Sequence, residues 1–81
     1  MKNDDLTKEK KALGARIQQL RLRIIDAKTQ KHISQEELAL RSNVSEKTIG
    51  ELERGETNPK LDTLLLISKG LKTSLKELFN Y

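Results

Sequence analysis

Between Ser34 and Gly55 the sequence leaves the backbone little choice. Ser34-Gln35-Glu36-Glu37 is a capping box, in which the serine oxygen accepts from the Glu37 amide and the glutamate reaches back. A helix launched there carries Leu38 and Ala39 on its inner face and ends near Arg41 to Ser42. Asn43 follows, a residue that tolerates the left-handed conformation of a tight turn. Val44 comes next, and Ser45 caps a second helix that runs from Glu46 to about Glu53. Gly55 stops it, as a glycine just past a helix end commonly does. Ile49 and Leu52 face inward, and the small Ala39 lets the two helices cross closely, near a right angle. Val44 fills the corner between them. Two short helices and a turn of this kind form a helix-turn-helix, spanning about residues 34–53.

The remainder is also helical in spacing, with no alternating apolar run of useful length. A first helix is expected from about Thr7 past Arg23. Leu13, Ile17, Leu20 and Ile24 follow one face, and Lys8, Lys10, Lys11 and Arg16 load the other. Asp26 to His32 lose the pattern and predict a helix end and a loop, and residues 1–6 a flexible tail. After a loop holding the only proline, Pro59, a fourth helix spans roughly Leu61 to Leu71. Leu61, Leu64, Ile67 and Leu71 share its face. A fifth opens on a second capping box, Ser74-Leu75-Lys76-Glu77, and buries Leu75, Leu78 and Phe79. The expected fold is all-α, five helices in one domain over residues 1–81.

Composition narrows the partners. The 81 residues hold 16 basic and 12 acidic side chains, a net charge of +4, which permits a polyanionic partner without demanding one. Phe79 and Tyr81 are the only aromatic residues, too few to stack single-stranded bases, so a nucleic-acid partner would be a duplex. The chain has no cysteine, which removes disulfides and thiolate metal ligands and fits a reducing cytoplasm. No apolar run reaches the roughly 20 residues of a membrane span. The polar start, Met1 to Lys11, is unlike a signal peptide. There is no nucleophile-base pair, no phosphate-cradling glycine loop and no metal-ligand spacing, and His32 stands alone. Neither catalysis nor a cofactor or metal is expected.

Several runs, taken in order, resemble the phage-repressor-like (Xre) family of helix-turn-helix regulators. They are Leu13-Gly14-x-Arg16-Ile17-x-x-Leu20-Arg21, Ser34-Gln35-Glu36-Glu37-Leu38-Ala39, Val44-Ser45-x-x-Thr48-Ile49 and Leu52-Glu53-Arg54-Gly55. Asn58-Pro59-x-Leu61-Asp62-Thr63-Leu64 and Ser74-Leu75-x-Glu77-Leu78-Phe79 continue the likeness, which covers about Leu13 to Phe79. Their order and spacing, more than any one run, carry it. Two departures stand out. Asn43 replaces the family's usual glycine. Between Arg21 and Gln35 the chain is about seven residues longer than typical members, roughly two helical turns; either the first helix extends in register or the loop is longer.

The resemblance implies a five-helix lambda-repressor-like domain that binds double-stranded DNA as a transcriptional regulator, a repressor in the first instance. Helix 46–53 would enter the major groove, presenting Ser45, Glu46, Lys47, Thr48, Gly50 and Glu51. Gln35 would clamp a backbone phosphate at a helix N-terminus, with Arg54 and Lys60 as further phosphate contacts. Arg21 and Glu53 match a family ion pair. Two positions admit two roles each. Glu46 could accept from a cytosine amino group or sit solvated at the helix start, stabilising its dipole. Gly50 either permits close approach to DNA or is simply tolerated. Surplus apolar residues in the C-terminal helices (Leu65, Leu66, Leu75, Phe79, Tyr81) point to a homodimer on a palindromic operator. Alternatives using the same fold are an antitoxin, a restriction-modification controller, or a protein-interaction module that does not bind DNA.

Overall fold

The computed structural model describes residues 4–81, with side chains from residue 6 onward. Five helices follow in order: α1 (Asp4–Arg21), α2 (Gln35–Ser42), α3 (Glu46–Arg54), α4 (Leu61–Gly70) and α5 (Leu75–Leu78). The only extended pairing among the described residues is a single antiparallel bridge between Ile25 and His32. Residues 1–3 of the expected tail lie outside the described residues, while α1 takes in the rest of that segment.

Three of the helix starts, those of α2, α3 and α5, are capped by serine, while α4 opens after Lys60 without a side-chain cap. Ser34, Ser45 and Ser74 are extended, and their hydroxyls accept the amides of Glu37 (3.0 Å), Thr48 (3.1 Å) and Glu77 (3.0 Å). The expected return half of the two capping boxes is replaced by ion pairs. Glu37 holds Arg41 on its own helix, and Glu77 holds Arg16. Asn43 (φ 57°) and Gly55 (φ 73°) end α2 and α3 in the left-handed region.

The core joins Leu13 and Ile17 of α1 with Leu38 and Ala39 of α2 and Ile49 and Leu52 of α3. Leu64 and Ile67 of α4, with Leu71 and Leu78, close it from the other side. Leu20, Ile24, Val44 and Leu75 pack against it half-buried. Three sequence expectations need correction here. Leu61 is 60% exposed, because it opens α4 and core contact begins a turn later at Leu64. Phe79 is 43% exposed, since α5 is too short to turn more than Leu78 fully inward. Arg16 does not load a solvated face. It is buried, donating to the Glu77 carbonyl through Nε (3.2 Å) and Nη2 (2.9 Å), which ties α1 to α5.

The extra residues lengthen the loop instead of extending α1. The helix stops at Arg21, and the chain doubles back as a small hairpin. The Ile33 amide donates to the Ile24 carbonyl (2.8 Å), and the Asp26 amide to that of Lys31 (2.7 Å). Gln30, at φ 62°, makes the bend. Ile33, almost wholly buried, pins the returning strand to the core. A continuing helix would have carried that side chain away from it.

Candidate nucleic-acid interface

The turn between α2 and α3 is closed by backbone bonds. The Val44 amide reaches over Asn43 to the Ala39 carbonyl (3.1 Å), as the left-handed cap requires. Ala39 and Leu38 lie under α3, and Ile49 and Leu52 bury the inner side of that helix. Its opposite side is left to solvent.

Five of the nine expected contact residues come together there. Gln35, Glu46, Lys47, Gly50 and Arg54 line one shallow groove of about 350 Å³, which runs from the start of α2 onto α3. Gly50 forms its floor and, against the expectation of an exposed position, is buried, with the ends of the Arg54 and Gln35 side chains close over it. A Cβ built there would meet only the ends of flexible side chains, Arg54 Nη1 at 3.1 Å and Gln35 Oε1 at 3.6 Å. Ser45 and Thr48 sit at the N-terminal end of α3, their hydroxyls 2.8 Å apart, outside the groove lining. Glu51 is half-buried, and Lys60 is exposed just before α4; neither lines the groove.

One buried carboxylate organises the site from behind. Glu53 accepts Arg21 Nε (2.6 Å) on one oxygen, and Arg21 Nη2 (2.9 Å) and Gln35 Nε2 (2.9 Å) on the other. The remaining Arg21 nitrogen, Nη1, donates to the Ile33 carbonyl (2.9 Å). The expected Arg21–Glu53 pair is thus the hub of a network joining α1, the hairpin, α2 and α3. An amide nitrogen carries two hydrogens, so Gln35 can hold Glu53 with one and offer the other to an anion in the groove.

Sequence reasoning missed Glu56, which holds Arg54 Nε at 2.9 Å just past α3. Both side chains are more than half exposed, so the pair is weak and Arg54 can exchange it for a phosphate. Among the described residues no group of three His, Cys, Asp or Glu side chains could hold a metal ion, and no helix is long and apolar enough to cross a membrane.

Fold and site together define a helix-turn-helix module. Residues 24–78 match the HTH_3 helix-turn-helix family model. Solved structures align over most of the chain. The restriction-modification controller C.AhdI from Aeromonas hydrophila is 32% identical, with a TM-score of 0.77 over 93% of this chain and 99% of that one. The clp gene regulator ClgR from C. glutamicum is 29% identical, with a TM-score of 0.69 over 85% of this chain and 80% of that one. An HTH_3 family transcriptional regulator from Vibrio cholerae is 27% identical, with a TM-score of 0.73 over 90% of this chain and 37% of that one. No curated protein matches the sequence. The chain belongs to the HTH_3 helix-turn-helix family of DNA-binding transcriptional regulators.

Proposed function

We propose that this protein is a repressor that lays α3 in the major groove of a specific duplex site. The carrying observation is the groove itself. It gathers Gln35 at the N-terminus of α2 with Glu46, Lys47 and Arg54 on the outer side of α3, over the buried Gly50. Gln35 and Arg54 take backbone phosphates, while Ser45, Lys47 and Thr48, at the leading end of α3, face base edges. Glu46 accepts from a cytosine amino group or stays solvated at the helix start; Glu51 and Lys60 lie at the margins. No enzymatic role is assigned, and the working compartment is the cytoplasm. Two copies joined through α4 and α5 would read a palindromic operator with half-sites about one helical turn apart.

The triple variant Gln35→Ala, Lys47→Ala, Arg54→Ala tests this on a duplex selected from random sequence. With the far-ultraviolet spectrum unchanged, affinity is expected to fall by about 100-fold or more, and the salt dependence to flatten. A folded variant that binds as tightly as the parent sinks the assignment. A second reading, control of a restriction-modification system, is favoured by the likeness to C.AhdI along nearly all of that chain. It requires the selected site to lie beside genes for a paired endonuclease and methyltransferase.

A further inference from the structure

We propose that the hairpin between α1 and α2 is a second DNA-contacting element, placing Lys28 and Lys31 on backbone phosphates that flank the site read by α3. The proposal rests on the docking of α3 proposed above. Three observations on the hairpin carry it.

The first is charge. Lys28 and Lys31 are exposed, and neither takes part in an ion pair among the described residues. The one carboxylate of the segment, Asp26, accepts the Lys28 amide on Oδ1 at 2.8 Å and pairs with neither ammonium group. Two ammonium groups therefore stand on a short, structured turn with no carboxylate paired to them among the described residues.

The second is shape and continuity. Asp26, Thr29, Lys31, His32 and Ser34 line a polar groove of about 390 Å³. It ends at Ser34, the residue before Gln35, which lines the α3 groove. The two linings are thus neighbours in the chain at the start of α2, where the proposed phosphate clamp lies. Asp26 at the rim is a local cost to an anion, set against Lys31 in the same lining and Lys28 beside it on the turn.

The third is rigidity. The returning strand is held by Arg21 Nη1 on the Ile33 carbonyl, and Arg21 is locked to Glu53, which also holds Gln35. Hairpin, clamp and recognition helix are fixed to one buried carboxylate. The backbone that carries each lysine is thus already ordered, and only the side chain remains to be fixed on its phosphate. A duplex seated on α3 and continuing past the start of α2 would offer regularly spaced phosphates to the hairpin, which an acidic peptide would match only by chance.

The test compares two duplexes bearing the selected site, one with several flanking base pairs on each side and one cut back to the bases facing α3. For Lys28→Ala/Lys31→Ala, affinity for the long duplex is expected to drop about tenfold, and the slope of log affinity against log salt to lessen by about 2. On the short duplex the variant should match the parent. Lys28→Arg/Lys31→Arg should restore both affinity and slope on the long duplex. A double-alanine variant indistinguishable from the parent on the long duplex overturns the hairpin contact while leaving α3 docking intact. So does an equal loss on both duplexes, which marks a general charge effect. A parent that binds neither duplex overturns both readings.

Discussion

Glu53 accepts three hydrogen bonds from two other elements, and its surroundings separate stability from binding. Its side chain is 3% exposed and that of Arg21 8%, so neither charge can fall back on solvent. Removing one partner of a buried pair leaves the other uncompensated, at a cost of about 3–5 kcal/mol. Arg21→Met should therefore consume much of the roughly 5–15 kcal/mol that a small domain possesses. A urea melt showing a loss below about 1 kcal/mol would mean the pair is not a hub. Gln35→Ala removes only one of three donors to Glu53 and should cost about 1 kcal/mol, so its effect belongs to DNA affinity. Ser42 is a smaller case with the opposite sign. Its hydroxyl is buried against Gly70 and has no hydrogen-bond partner. Ser42→Ala removes that unsatisfied group, and should add about 1 kcal/mol and raise Tm by about 4–8 °C. A lowered Tm would give the hydroxyl a role the packing does not reveal.

At the scale of the helix, two internal glycines each forgo about 1 kcal/mol of helix propensity relative to alanine, for different reasons. Gly14 of α1 lies against the end of α3, where an added Cβ would fall on the Leu52 and Glu53 carbonyls. That backbone cannot give way cheaply, so Gly14→Ala should destabilise by about 1–3 kcal/mol. Gly50 meets only flexible side-chain ends, so Gly50→Ala should stabilise by up to about 1 kcal/mol. If the floor of the groove lies against DNA, the same change should weaken duplex binding by about tenfold or more, roughly 1.4 kcal/mol. Greater stability with undiminished affinity would show that the glycine is merely tolerated. The contrast also marks what was legible in the sequence. The caps at Ser34, Ser45 and Ser74 and the stops at Asn43 and Gly55 could be read because each depends on atoms a few residues away. The burial of Arg16 could not. Its partner, Glu77, is 61 positions along the chain, and only the assembled fold brings them together.

For the molecule as a whole, the legible part was the helical frame, and the illegible parts were its departures from helix. A hairpin with a single bridge offers no alternating stretch, and Ile33, its anchor, is an isolated apolar residue among polar ones. The C-terminal face shows the reverse, an apolar surplus plain in the sequence whose use depends on a partner. Leu64 enters the core while Leu65 and Leu66 remain exposed, and Phe79 and Tyr81 add to the uncovered area. Covering that surface with a second copy would bring together two chains of net charge +4, so apolar burial must outweigh their repulsion. The two associations should then respond oppositely to salt. Added salt screens repulsion between protomers and favours the dimer, while it weakens protein–DNA contact by reducing the gain from counterion release. Sedimentation equilibrium at tens of micromolar should show a dimer that persists or tightens as salt rises. Leu65→Lys/Leu66→Lys should be a folded monomer that keeps half-site affinity and loses the gain from binding both halves of a palindrome, about 100-fold or more. A parent that sediments as a monomer at that concentration would remove the dimer from the reading and leave each α3 to find its site alone.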